Sequence, residues 1–368
     1  MIRNLMGALT LSASIVATST NAASDQMVSS GGMTMGDEDS GMDMDMDMDM
    51  GMGMNMPRLM LSYRYMRMDM AGNQIGTTDV SPTFIATTIP NRFFGLPGQP
   101  PTLRMVPTNM EMDMNMFGAM YMASPKFQVM AMLPYITKSM DHLTFAGGAG
   151  PAVLGGFNTR SSGIGDIKII GRYSVLNQGP GKLRFDLGLS LPTGSITETG
   201  TVLTPTGATP TVRLPYSMQL GSGTFDLLPG LSYSLSNGAV EWGGDVNGVI
   251  RLGSNDEGYS LGDEATVGIW ARFKTGPSVT LSGRIEAKTV GRIDGIDPLI
   301  VGPNQTADPL NYGGETVTIL AGAEFTGQKG AFKGQTFSIQ AGVPIFQDLN
   351  GPQVETDWIV SAGWRKGF

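Results

Sequence analysis

The chain has 368 residues, of which 52 are glycine and none is cysteine; 15% are charged and the net charge is −8. The missing cysteine excludes disulfides, thiolate metal sites and a cysteine nucleophile, and the acidic balance argues against a nucleic-acid partner. Outside the N-terminus no run of about 18 apolar residues occurs, so no membrane-spanning helix is expected.

In chain order, residues 1–23 read as a secretory signal peptide. Arg3 supplies the positive start, Leu5 to Val16 a modest apolar core, and Asn21-Ala22-Ala23 a cleavage zone. Residues 24–57 form a low-complexity leader. In it Met42, Met44, Met46, Met48, Met50, Met52, Met54 and Met56 alternate with Asp43, Asp45, Asp47, Asp49, Gly51, Gly53 and Asn55. Gly36 to Met56 holds no β-branched or aromatic residue, which predicts a disordered periplasmic leader rich in methionine and aspartate.

From residue 58 onward, short segments alternate apolar and polar side chains with a period of two. In 182–191, Leu183, Phe185, Leu187 and Leu189 alternate with Lys182, Arg184, Asp186 and Gly188. About twelve such segments are predicted as strands: 58–70, 110–123, 126–138, 164–176, 182–192, 224–236, 239–252, 264–274, 277–290, 315–327, 333–344 and 355–368. Their connections alternate between short turns and long loops, the latter at 71–109, 139–163, 193–223, 253–263, 291–314 and 345–354. This pattern predicts an all-β fold over residues 58–368: a transmembrane antiparallel up-and-down β-barrel in the bacterial outer membrane. Short turns and both termini would face the periplasm, and one strand face would meet outer-membrane lipid. The lumen face would carry Arg64, Lys126, Lys138, Lys168, Arg172, Lys182, Arg184, Asp186, Arg251, Glu264, Arg272, Arg284, Glu286 and Glu324. Trp358, Val360, Ala362, Trp364 and Phe368 would face lipid, with Lys366 snorkelling from the same side. A terminal Phe368 on an amphipathic strand resembles the signal read by the barrel assembly machinery.

The chain contains 28 methionines. Beyond the leader, three stripes each keep one parity: Met60, Met66, Met68 and Met70; Met110, Met112, Met114, Met116, Met120 and Met122; Met130, Met132 and Met140. The opposite parity holds Tyr63, Tyr65, Phe117, Tyr121, Leu133 and Tyr135, the expected lipid-facing set, so the methionines are assigned to the lumen. Arg67, Asp69, Glu111 and Asp113 share the aromatic parity and break the pattern near the predicted strand ends. Three readings compete. Methionine is a flexible apolar filler, here beside a plug. Thioether sulfur is neutral and selects Cu(I), or the equally soft Ag(I), over harder cations. Methionine also serves as a reversible oxidant sponge. Under the metal reading the leader and the three stripes form one soft-cation path.

His142 is the single histidine and falls at the start of a predicted external loop. A triad would need it oriented by a carboxylate, yet adjacent Asp141 points to the other face of an extended segment. A pore-mouth histidine is therefore expected rather than the active site of an outer-membrane hydrolase.

Several segments resemble the meta-pathway phenol-degradation family of outer-membrane barrels, often called simply transporters. They are Met60 to Met70, Pro90 to Pro101, Gly163-Ile-Gly-Asp166 and Leu191-Pro-Thr-Gly194. Leu214 to Gly223, Ala307 to Gly314 and Gln347 to Trp358 complete the set. The resemblance covers residues 58–368 and implies a barrel that passes small, aromatic compounds. It supplies no substrate-binding residues. The sequence thus predicts a non-enzymatic outer-membrane channel handling a small solute or a soft metal ion. The alternative cargo is a small aromatic or hydrophobic compound, with the methionines as packing.

Overall fold

The computed structural model describes residues 58–368. The signal peptide, the leader and Met42 to Met56 lie outside the described residues. β1 (Leu59–Gly76), the two-residue β2 (Thr78–Asp79), β3 (Met105–Ser124) and β4 (Phe127–Phe145) come first, with helix α1 (Pro82–Thr88) between β2 and β3. β5 (Val153–Ile164), β6 (Ile167–Gln178) and β7 (Gly181–Leu191) follow. The next connection carries the short pair β8 (Thr199–Thr201) and β9 (Thr211–Arg213). Then come β10 (Phe225–Asn237), β11 (Val240–Leu252), β12 (Tyr259–Ser260), β13 (Glu264–Lys274), β14 (Val279–Val290), β15 (Asp294–Gly295), β16 (Gly314–Thr326) and β17 (Gln335–Gly367).

Eleven of these strands close into an antiparallel ring, each pairing with its sequence neighbour in the wall, and β17 returns to pair with β1. Closure satisfies the backbone polar groups of the ring internally, as a lipid environment demands, while β2 and β5 extend the sheet and each pair on one side only. β17 folds back at Gly351, whose φ of 60° suits a tight reversal. Trp364 Nε1 donates to Gln335 Oε1 across that fold at 2.8 Å. The first half of β17 pairs with β16 and the second with β1, so the wall is crossed roughly 12 times. At the seam, Phe368 N donates to Leu59 O at 2.8 Å.

The burial pattern is inverted relative to a water-soluble sandwich. Leu187, Val246, Ile269 and Ile339 point outward and are exposed, whereas Lys168, Arg172, Arg251 and Arg284 point inward and are buried. An apolar outside over a charged inside is the signature of a barrel in lipid. Near the short-turn end, Tyr121, Phe127, Tyr173, Trp242, Phe273, Phe325 and Phe337 form an outward aromatic belt. Such belts sit at the membrane interface.

Two expectations about the wall need correction. First, the strands next to the N-terminus are longer than the hydropathy alternation suggests. β1, β3 and β4 span 18, 20 and 19 residues, against 11 to 13 for β7, β10, β11, β13 and β16. The expected loops 71–109, 139–163 and 345–354 shrink accordingly, the last to the turn within β17. Backbone pairing continues there after the outward face has lost its apolar residues. Second, Arg67, Asp69, Glu111 and Asp113 lie within these strands rather than at their ends. They face outward beyond Tyr65, where Arg67 pairs with Glu111 at 2.9 Å and with Asp113 at 3.6 Å. Tyr65 also donates to Asp113. In this sector the wall rises past its apolar belt, so charged side chains meet a polar medium. Lys126 is a smaller correction: it sits exposed in the β3–β4 turn rather than in the lumen.

Candidate functional site

Inside the barrel the three methionine stripes come together. Met60, Met66, Met68, Met70, Met110, Met112, Met114, Met116, Met120, Met130, Met132 and Met140 are all buried in one cluster, while Met122 is half-buried near the β3 end. Strand register aligns them in rows. Met120 lies between Met60 and Met130, and Met110 lies between Met70 and Met140. Directly opposed residues on adjacent strands stand about 4.5–5.5 Å apart at Cβ, so each row is a continuous thioether surface.

The loop-end half of this surface is covered by the chain itself. Leu214, Met218 and Leu220, from the connection between β9 and β10, belong to the same buried cluster. Lys138 on β4 holds this in-folded segment: its buried Nζ donates to Ser217 O at 3.0 Å and Gln219 O at 2.6 Å. Ser161 Oγ donates to Met218 O at 2.7 Å. From above, Tyr312 OH donates to Thr306 O at 2.7 Å and accepts from Ser217 N at 3.1 Å. Tyr216 packs edge-on against Tyr259 and Tyr312, at 4.7 and 5.7 Å between ring centres. Burial pushes the Tyr216 phenol up to about 12 and raises Tyr259 and Tyr312 as well, so all three stay neutral hydrogen-bonding groups.

The roots of the loops are pinned by two buried charges. Asp166, at the break between β5 and β6, accepts from Gly194 N, Ser222 N and Ser222 Oγ at 2.8, 2.7 and 2.9 Å. Arg104 donates to the carbonyls of Ala86, Ala146, Gly147 and Gly150. Burial lowers its guanidinium pKa.

The wall opposite the methionines is ionic. Arg172 pairs with Asp186 at 2.7 Å. Arg251 bridges Asp226 (2.6 Å) and Glu264 (2.8 Å), and Lys288 shares Glu264 at 2.9 Å. Arg284 bridges Asp245 (2.7 Å) and Glu286 (2.9 Å). Arg272 and Arg365 both reach Glu324, at 2.7 and 3.0 Å. The lumen is therefore two-sided, with thioethers on one wall and paired charges on the other.

Cavities lie towards both ends of the barrel. At the loop end, a cleft of about 540 Å³ lies among Pro100, Val202, Val212, Pro215, Ile300, Val301 and Ala307, and is mostly apolar. At the turn end, a vestibule of about 120 Å³ is lined by Arg64, Met116, Trp270, Arg272, Glu324 and Arg365 among others.

The barrel fold has known counterparts. An outer membrane channel from Pseudomonas putida F1 superposes with a TM-score of 0.53 over 87% of this chain and 99% of that one, at 11% identity. The fold is that of an outer-membrane channel. A FadL homologue from Pseudomonas aeruginosa (TM-score 0.41, 10% identity, 86% of this chain and 91% of that one) is more distant. So is the Ralstonia pickettii toluene transporter TbuX (0.43, 12%, 86% and 90%). No protein-family model and no curated protein sequence matches the chain.

Within this barrel, His142 departs from its expected place. It lies in β4, not at the start of a loop, and is buried with its ring stacked on Phe157 at 4.5 Å and 6°. Asp141 points outward and accepts from Asn158 Nδ2 at 2.8 Å, so it does not orient the imidazole. The in-folding of Leu214 to Leu220 was not visible in the periodicity. Its one sequence signal is Met218, a methionine outside the stripes.

Proposed function

We propose that the chain is an outer-membrane channel for small apolar and aromatic compounds, which enter from the loop end on the cell exterior. The observation that carries this is the loop-end cleft and what lies beneath it. Pro215 in its wall leads into the segment whose Leu214 and Met218 rest on the methionine surface. An apolar solute leaving the cleft would meet further apolar surface once that segment shifts. Methionine suits such a route, because its flexible thioether adapts to varied shapes and makes favourable contacts with aromatic rings. The resemblance to phenol-degradation barrels points to the same class of cargo.

Photolabelling tests this. A small phenyl diazirine should form adducts within 202–215 and 300–307, and excess unlabelled arene should suppress them. Adducts on the lipid face should resist that competition. Val212→Asp/Val301→Asp, which charges two cleft residues, should lower the cleft adducts about tenfold, since burying a charge beside an apolar ligand is costly. Cleft labelling that neither competitor nor variant changes would sink the reading.

The rows Met60–Met120–Met130 and Met70–Met110–Met140 favour a second reading, a Cu(I) or Ag(I) path. Three thioethers side by side form a soft, neutral donor set. The surrounding charges oppose it: Lys138 and Lys168 lie on the same inner face, while Asp69, Glu111 and Asp113 face outward. Metal titration under reducing conditions separates the two. Met66→Leu/Met68→Leu/Met114→Leu/Met116→Leu keeps apolar volume and removes sulfur. On the metal reading this variant loses Cu(I) equivalents, and deletion of Gly41 to Met56 loses more. Unchanged binding in both leaves the methionines as packing.

A further inference from the structure

The methionine surface is not uniform along the barrel axis. In the turn-end row, Met60, Met120 and Met130 are 7, 6 and 7% exposed, and nearby Met132 and Met116 are 7 and 8% exposed. In the loop-end row, Met70, Met110 and Met140 are 0, 0 and 1% exposed. The difference has a structural cause. Leu214, Met218 and Leu220 share one buried cluster with the stripes. Lys138, two residues from Met140 on the same strand face, ties their segment down together with Ser161. At the turn end, Met116 instead lines the vestibule of about 120 Å³.

A thioether reacts with a hydroperoxide without first losing a proton. The sulfur attacks the terminal peroxide oxygen, the O–O bond breaks, and the departing oxygen takes up the proton of the transferred one. The products are a sulfoxide and an alcohol, or water when the oxidant is hydrogen peroxide. Sulfur gives up two electrons and the peroxide takes them. Two conditions select which methionine reacts: a path for the oxidant and a place for the new oxygen. The vestibule has room for molecules the size of water, and Ser338 and Gln340 in its lining give a polar setting. Beneath the in-folded segment, the new acceptor would be shut against Leu214 and Met218, and an acceptor buried without a partner is costly.

We propose that the turn-end methionines, Met116, Met120, Met130 and Met132 foremost, are a modification site for small hydroperoxides, and that the in-folded segment shields the loop-end row from the same oxidant. Each sulfoxide formed consumes one peroxide, and the seat of the segment stays intact. The site goes beyond the channel reading and is the same for either cargo.

The test treats the full chain in detergent with dilute hydrogen peroxide and maps sulfoxide by peptide mass. Trypsin separates the two sets on β4, because cleavage after Lys126, Lys138 and Arg160 puts Met130 and Met132 in one peptide and Met140 in the next. The first peptide should gain oxygen at least tenfold faster than the second. Fragment ions of the β3 peptide should show Met116 and Met120 ahead of Met110. The barrel should keep its heat-modifiable gel migration once the turn-end set is oxidised. Met218→Ser, which weakens the apolar contact of the segment, should speed Met140 several-fold and leave Met130 and Met132 near their wild-type rates. Equal rates on the two peptides, Met140 ahead of Met130 and Met132, loss of the folded band as the first sulfoxides form, or a Met140 rate unmoved by Met218→Ser overturns the proposal. None of these outcomes bears on diazirine labelling of the loop-end cleft, and failure of that labelling leaves the order of oxidation unchanged.

Discussion

Arg284→Leu is expected to lower the stability of the barrel by about 3–5 kcal/mol, the usual cost of removing one partner from a buried ion pair. The guanidinium reaches Asp245 through two bonds, at 2.7 and 2.8 Å, and Glu286 through a third at 2.9 Å. The side chains of Asp245 and Glu286 are only 1% and 6% exposed, so both carboxylates would be left charged and without their counter-ion. The surroundings are shaped for this group. A Cβ at Gly268 would stand 2.2 Å from Arg284 Nη2, so only glycine there leaves room for the fork. Urea unfolding in detergent, followed by heat-modifiable gel migration, should show the midpoint of Arg284→Leu well below wild type. Adding Asp245→Asn should recover part of the loss, because one of the stranded charges is then gone. A wild-type midpoint for Arg284→Leu would mean that lumen water solvates these carboxylates and that the ionic wall is not structural.

Much of the wall could be read from side-chain parity, because a barrel in lipid imposes opposite demands on its two faces. Leu183, Phe185, Leu187 and Leu189 had to point one way and Lys182, Arg184 and Asp186 the other, and the register of β7 with β6 and β10 keeps them so. The methionines were placed inward by the same rule, through their opposition to Tyr63, Phe117 and Leu133. Parity fails where both faces become polar. Beyond Tyr65 the outward residues are Arg67 and Asp69, and hydropathy no longer shows that β1 continues to Gly76. It fails again for β5, whose outward Asn158, Arg160 and Ser162 resemble a loop although the strand pairs with β4 throughout.

The interior filling was less accessible, because a loop that folds into a lumen has no period to announce it. The segments that carried the family resemblance nevertheless meet there. Asp166 caps Gly194 and Ser222, Tyr312 meets Ser217, and Asn350 Nδ2 donates to Tyr312 O at 2.9 Å. Short motifs far apart in the chain thus build one structure, a loop-end cap resting on the methionines. The two-sided lumen has the same kind of origin. Thioethers cluster on β1, β3 and β4 because those strands adjoin in a meander, and the paired charges occupy the remaining wall.

That cap is latched by Lys138, and Lys138→Met is expected to raise single-channel conductance several-fold in planar bilayers. Lys138 is 3% exposed, and its ammonium spans the carbonyls of Ser217 and Gln219. Hydrogen bonds to a charged group contribute about 1.5–3 kcal/mol each, and a buried carbonyl that loses its partner costs about 1–3 kcal/mol. Methionine nearly matches lysine in length and extends the thioether surface, so the barrel wall should tolerate it while the segment loses two of its strongest ties. Leu214 and Met218 would still favour apolar burial, so the segment should fluctuate rather than leave, giving flickering openings instead of a permanent pore. Lys138→Arg, which keeps a donor, should stay closer to wild type. The same openings should expose the connection from Gly200 to Arg213 to added protease. If Lys138→Met instead conducts like wild type and resists protease equally, the apolar contacts alone hold the segment and Lys138 is not its latch.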